Sequence, residues 1–208
     1  MSLTLYYSPG ACSGVTINAI EELGIECNYQ RISLASGEQK SDAYLAINPF
    51  GKVPALVKDD SLLTENPAIL LYLNTLVSGS KLLPDTNDAF QQSQHASDLM
   101  WLSSSVHPSV RQVVRPDYFT VSKAHDDIME RGRIAVTACF ELAEQRLLTA
   151  DWWYGAQWSI VDTYLHWCYT RAAKGGFSLV DFPALLAHQK RLEATPSYQR
   201  RVAVESQP

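Results

Sequence analysis

The residues able to do chemistry lie in a few short, well-separated stretches. In Ser8-Pro9-Gly10-Ala11-Cys12-Ser13 a cysteine follows a Pro-Gly turn, and from there the spacing becomes helical. Val15, Ala19 and Leu23, with Ile20 beside them, recur at three or four residues until Gly24. A thiol at a helix N-terminus meets unpaired N–H groups and the positive end of the helix dipole, which favour a thiolate. Val15 stands three residues on, where a dithiol oxidoreductase would carry its second cysteine, so that mechanism is disfavoured. Cys27, Cys139 and Cys168 are scattered, without CxxC or metal-ligand spacing, and read as small buried hydrophobes. Val53-Pro54 stands directly before a strand. That proline is either an ordinary trans residue at a sheet edge or a cis one; the cis form turns the Val53 N–H and C=O outward, where an extended peptide can pair with them. His107 precedes Pro108 inside a long helical pattern, so the imidazole is presented on a bend. His95, His125, His166 and His188 have no comparable placement.

These residues need elements to position them. Leu3 to Tyr7 reads as a buried strand and Cys27 to Ile32 as a second. Ser41 to Ala46 reads as a short helix. Ala55 to Val57 and Leu62-Leu63 are strands joined by the turn Lys58-Asp59-Asp60-Ser61. Asn66 suits the N-cap, and Pro67 the first position, of an apolar helix from Ala68 to Val77. The order is β-α-β-α-β-β-α. Ser78-Gly79-Ser80-Lys81-Leu82-Leu83-Pro84-Asp85 is linker-like, and no strand pattern follows it. Helices are expected from Ala89 to about Val114, interrupted at Pro108, and from Ala124 to Leu148 with Ile128, Ala135, Ala138, Leu142 and Leu147 along one face. Another opens on the capping box Ser159-Ile160-Val161-Asp162; the last two cover Pro183 to Glu193 and Ser197 to Val204. The spacing thus predicts an α/β domain over 1–78, a linker over 79–88 and an all-helical domain over 89–208.

The bulk numbers narrow the function class. In 208 residues a hydrophobic content of 46% and a charged content of 19% fit a globular protein with a sizeable core. The net charge of −5, with Lys190-Arg191 and Arg200-Arg201 only isolated basic pairs, argues against a nucleic-acid partner or an acidic membrane surface. No signal peptide is evident, and no apolar run is long enough to span a bilayer. Free thiols fit a reducing, cytoplasmic setting.

The chain resembles the cytosolic glutathione transferases, and most closely their bacterial beta-type branch. The resemblance rests on Tyr6-Tyr7-Ser8-Pro9-Gly10-Ala11-Cys12-Ser13, on Ile47-Asn48-Pro49 with Gly51-Lys52-Val53-Pro54-Ala55-Leu56, on Leu63-Thr64-Glu65 with Ala68-Ile69, and on Ser159-Ile160-Val161-Asp162 with Tyr164-Leu165. It implies a thioredoxin-like N-terminal domain, an all-helical C-terminal domain and a homodimer. It also implies glutathione as co-substrate, a small hydrophobic electrophile as acceptor, a role in detoxification, and no metal. It makes Val53–Pro54 cis, with Val53 pairing the cysteinyl part of glutathione. Glu65 would pair the γ-glutamyl ammonium. Asn66, through its N–H and its side-chain amide, would take the neighbouring carboxylate, although Pro67 removes one donor there. Lys40 and Lys52 are candidates for the glycyl carboxylate. Cys12 would hold the glutathione sulfur as a thiolate or form a mixed disulfide with it; Tyr7 and Ser13 are rival donors to that sulfur. His107 would lie close to the sulfur, and Ala11, Arg111, Arg115, Tyr118 and Trp167 would line the electrophile pocket. Phe50 would wedge into a partner subunit or shield the glycyl end. The alternatives to conjugation are a thiol transferase or peroxide reductase acting through a Cys12 mixed disulfide, and a non-catalytic binding scaffold suggested by Asn66-Pro67.

Overall fold

In the computed structural model, residues 2–79, 82–123 and 125–207 are described. The chain forms two compact units: one runs through Asp85 and takes up the chain again from Thr195, and the other runs from Thr86 to Ala194. Ser80 and Lys81 of the expected linker lie outside the described residues, as does Ala124.

The first unit is built on a four-stranded sheet in the order β2-β1-β3-β4. Its strands are β1 (Leu3–Tyr7), β2 (Asn28–Arg31), β3 (Ala55–Lys58) and β4 (Ser61–Thr64). β2 runs parallel to β1, while β3 is antiparallel to both β1 and β4. The register sets Leu5 opposite Leu56 and Leu56 opposite Leu63, so one face carries an apolar row. On the other face Tyr6 meets Tyr44 of α2 (Asp42–Leu45) edge-on at 5.7 Å. Helices α1 (Ser13–Leu23) and α3 (Asn66–Asn74) complete the β-α-β-α-β-β-α order. This is the expected thioredoxin-like arrangement. Gly24, with φ 62°, ends α1 in the left-handed conformation that glycine adopts at least cost.

The structure corrects the expectation at the end of the chain. Helix α9 (Pro196–Glu205), assigned by sequence to the helical domain, belongs to the first unit. The reason lies in α1, where every residue from Ser13 to Ile20 is buried. A helix against one sheet buries one stripe; this one also has α3 and α9 packed on it, and α9 covers the side that would otherwise be wet. Tyr7 donates its hydroxyl to the Val204 carbonyl (3.3 Å), Gly10 N–H to Glu205 (2.9 Å), and Arg200 its Nη2 to the Glu21 carbonyl (2.6 Å).

The second unit is helical: α4 (Ala89–Trp101), α5 (His107–Val114), α6 (His125–Leu147), α7 (Ile160–Lys174) and α8 (Pro183–Glu193). The break expected at Pro108 takes the form of a π-helical stretch, Leu102–Val106, immediately before α5. The buried stripe of α6 is Gly132, Val136, Phe140, Ala143, Glu144 and Leu147; of the expected face it keeps Leu147, while Ala138 and Leu142 are exposed. Aliphatic spacing alone misplaced the helix phase, because two of the contacts that set it are not aliphatic. At Gly132 a Cβ would lie 2.7 Å from Gln112 Cβ, so α5 and α6 meet there only through glycine. The buried Glu144 accepts the N–H groups of Ala184 and Leu185 at the start of α8. His95, which the sequence assigned to no site, is buried against the Tyr154 ring at 4.9 Å.

The capping box holds a buried polar cluster. The fully buried Asp162 carboxylate accepts the Ser159 N–H and hydroxyl (both 2.8 Å), the Trp153 N–H (2.7 Å) and His188 Nε2 (3.1 Å). Its loss would strand several buried donors at once. Asp162→Ala is expected to lower the unfolding free energy by roughly 3 kcal/mol or more in urea titrations. Glu130→Ala, which breaks only an exposed pair with Arg133, is expected to change it by less than about 0.5 kcal/mol.

Candidate active site

The first turn of α1 carries the thiol. Cys12 is the N-cap residue, makes no side-chain capping bond and is partly exposed. Its Sγ lies 3.7 Å from the carbonyl oxygen of Val53, the residue that forms a cis peptide with Pro54 as the sequence resemblance implied. The loop before Val53 is held from beneath: Tyr44 donates its hydroxyl to the Lys52 carbonyl (2.7 Å) and Asn48 its amide to the same oxygen (2.8 Å). Gly51, at φ 59°, lets this loop pass close to the chain; a Cβ there would lie 2.8 Å from the Gln39 carbonyl.

A second clamp joins the N-terminal turns of two helices. Asn66 Nδ2 donates to the Cys12 carbonyl (3.0 Å), and Thr16 donates its hydroxyl to Asn66 Oδ1 (2.7 Å). An amide suits this place because it supplies a donor and an acceptor from one planar group. The sequence expectation for Asn66 changes accordingly. Asn66 is the first residue of α3 rather than its N-cap, and its buried side chain is committed to α1 instead of to a ligand. The N-cap is Glu65, at φ 68° and ψ 123°, a conformation that costs a residue with a Cβ on the order of 1–3 kcal/mol. The Glu65 carboxylate is exposed and in no ion pair among the described residues. Beside it the N–H groups of Asn66 and Ala68 have no partner within the helix, while Ile69 N–H bonds the Glu65 carbonyl (3.0 Å). Lys40 and Lys52 are exposed; a Cβ on Gly51 would sit 2.9 Å from Lys40 Nζ, which places that ammonium over the loop before Val53.

The two rival hydroxyl donors are occupied. Tyr7 is buried and donates to Val204 of α9. Burial pushes its phenol above the ordinary value; Glu205 adds to the rise and Arg31 opposes it. Ser13 is fully buried, donating its hydroxyl to the Ser8 carbonyl (3.2 Å) and accepting the Ser8 N–H (3.1 Å). Tyr7 ties β1 to α9, and Ser13 closes the β1–α1 turn. Ala11, also in that turn, is partly exposed and accepts the Gly14 N–H.

The remaining expected residues lie in the helical unit and come together there. His107 Nδ1 is 3.1 Å from the Tyr164 hydroxyl, its Nε2 is 3.3 Å from Arg111 Nη2, and its ring is 4.4 Å from the Trp167 ring. Arg115 stacks on Tyr118 at 4.1 Å and pairs with Asp117. Sequence reasoning missed Thr16, Val204 and Glu205. Their contacts span 50, 197 and 195 residues, and nothing in the local spacing points to them. Among the described residues no group of three or more His, Cys, Asp or Glu is arranged to hold a metal ion, and no helix is long and apolar enough to cross a membrane.

Residues 1–75 match the glutathione S-transferase N-terminal domain. A solved bacterial beta class glutathione S-transferase from Sphingomonas chungbukensis is 30% identical, with a TM-score of 0.85 over 98% of both chains. The chain belongs to the glutathione S-transferase family. A glutathione transferase homologue from Sulfitobacter, solved with bound glutathione, is 28% identical with a TM-score of 0.87 over 98% of both chains. Glutathione S-transferase GstA of Escherichia coli O157:H7 is 26% identical over 98% of both chains.

Two outcomes are expected for this transferase-family turn. Burial pushes the Cys27 thiol up to about 11, with Glu21 adding to the rise and a bond to the Leu5 backbone opposing it, and burial raises Cys139 as well. Cys168 is fully buried. Brief alkylation with iodoacetamide at pH 7.5, read by peptide mass spectrometry, should therefore mark Cys12 and leave the other three cysteines unmodified. Tyr7→Phe removes only the bond to Val204. It should cost about 1 kcal/mol in unfolding titrations and leave the alkylation rate of Cys12 unchanged within twofold.

Proposed function

We propose that the chain conjugates glutathione, through its thiolate, to small hydrophobic electrophiles, as a beta-type transferase. The reading is carried by one observation: the Cys12 thiol stands at the N-terminus of α1, 3.7 Å from the carbonyl of the residue that precedes the cis proline. An extended cysteinyl segment that pairs with Val53 brings its own sulfur to that helix end, where the N–H groups and the dipole favour the thiolate. Glu65 pairs the γ-glutamyl ammonium, and the unpartnered N–H groups of Asn66 and Ala68 receive the neighbouring carboxylate. Lys40 and Lys52 serve the glycyl carboxylate. His107, Arg111, Arg115, Tyr118 and Trp167 form the acceptor pocket in the helical unit. The protein works as a homodimer in the cytoplasm, in detoxification. Rate enhancement comes from stabilising the thiolate and holding the two reactants together.

A second reading is favoured by the commitment of Tyr7 and Ser13 to structural bonds, which leaves Cys12 as the reactive side chain at the helix end. In it the Cys12 thiolate attacks a glutathione mixed disulfide, forms a Cys12–glutathione disulfide and releases the acceptor thiolate. A second glutathione thiolate then breaks that disulfide, releasing glutathione disulfide and restoring the Cys12 thiolate.

Calorimetric titration with glutathione tests the binding mode. The parent protein should bind at or below millimolar concentration, and Glu65→Gln should weaken binding roughly tenfold or more through loss of the charge-assisted contact. No binding to the parent at millimolar glutathione would favour the scaffold reading. Cys12→Ala separates the two chemistries: conjugation that survives while thiol exchange is lost assigns conjugation to the glutathione sulfur, and loss of both assigns Cys12 a direct part in each.

A further inference from the structure

In the helical unit, α5 and the turn after it build a patch that is both cationic and aromatic. Arg111 and His107 lie one turn apart on α5. A guanidinium only donates, so the 3.3 Å contact uses the lone pair of His107 Nε2 and leaves Nδ1–H to donate to the Tyr164 hydroxyl. The Tyr118 ring lies 4.1 Å from the Arg115 guanidinium and 5.8 Å from that of Arg111. The two arginines then diverge. Arg115 grips Asp117 with two parallel bonds, 2.9 and 2.8 Å, which neutralise it. Arg111 forms no ion pair among the described residues and spends one donor on His107. In a chain of net charge −5, this partly buried guanidinium, with no carboxylate paired to it among the described residues, lies beside the largely exposed Tyr118 ring.

We propose that the acceptor taken by this patch is an electrophile with one carboxylate on a flat aromatic body; the proposal rests on the reading that the helical unit supplies the acceptor pocket. One uncompensated guanidinium matches a single negative charge, and its fork geometry fits a carboxylate through two parallel bonds. A phosphate dianion would need a second free cation, which Asp117 denies it. The aromatic body packs on the exposed Tyr118 ring, which supplies apolar area at little conformational cost.

A matched pair of acceptors tests this: 4-chloro-3-nitrobenzoate and the neutral 4-chloro-3-nitrobenzamide. In both, the glutathione sulfur forms a bond to the ring carbon, the C–Cl bond breaks, chloride leaves with the electron pair and the thiol proton goes to solvent. With each kcat/KM divided by the uncatalysed rate, the parent should favour the benzoate. The benzoate-to-benzamide ratio should fall roughly ten- to hundredfold in Arg111→Gln, mainly through KM, with partial retention in Arg111→Lys. A ratio that is the same in parent and Arg111→Gln, or a parent that favours the benzamide, overturns the proposal. If Arg111→Gln does not fold, the parent decides: 4-nitrobenzoate should compete with the acceptor at least tenfold better than 4-nitrobenzamide, and equal competition overturns it. If neither acceptor is conjugated and glutathione does not bind, the transferase reading itself falls, and this inference with it.

Discussion

The structure of the first unit depends on the complete burial of the opening turns of α1. From Ser13 to Ile20 no residue is exposed, although Ser13, Thr16 and Asn18 are polar. Val15, Ile17 and Ile20, almost wholly removed from water, each contribute roughly 1.5–3 kcal/mol. The polar side chains in the same turns must then find partners inside the protein. Ser13 bonds Ser8 across the β1–α1 turn, Thr16 bonds Asn66 of α3, and Asn18 approaches Ser197 of α9 at 3.4 Å. Each bond reaches a different neighbour, so the helix cannot shift along one contact without breaking another.

That constraint is what places the thiol. Cys12 is the residue just before the buried stretch, so its carbonyl is anchored by Asn66 while its sulfur remains accessible. The turn ahead of it is pinned by the Gly10 bond to Glu205, which in turn takes the Arg201 guanidinium (3.0 Å). The C-terminal helix is therefore part of the scaffold for the first turn of α1, and the last residues of the chain stabilise the first. Rigid support from α3 and α9 holds the N-terminal end of α1 in a fixed direction; the Gly14 and Val15 N–H groups are taken by Ala11 and Cys12, so the Ser13 N–H and the positive end of the helix dipole are what this end offers an anion.

Much of this was legible in the sequence, and the exceptions have physical causes. The strand–turn–helix opening and the Ser159-Ile160-Val161-Asp162 box are local patterns, so residue spacing sufficed to find them; the cis form of Val53–Pro54 came from the family resemblance, since spacing alone left it open. The role of the Asn66 side chain was not legible, because its partners are 50 and 54 residues away. Tyr7 and Ser13 look like donors by type and position; only burial shows that their hydroxyls are already used. The phase of α6 was misread because a glycine and a buried glutamate, not aliphatic residues, mark its inner face. The assignment of α9 needed the knowledge that α1 has a second side to cover.

The helical unit adds chemistry of a different kind, with a histidine, a guanidinium that is in no ion pair among the described residues, and two rings joined through α5 and α7. The central claim nevertheless concerns the end of α1. A crystal structure of the protein soaked with glutathione tests it most directly. The expected result is a cysteinyl segment paired with the Val53 backbone and a glutathione sulfur in contact with, or bonded to, Cys12 Sγ. Glutathione seated with its sulfur away from Cys12, or absent from the first unit at saturating concentration, would contradict it.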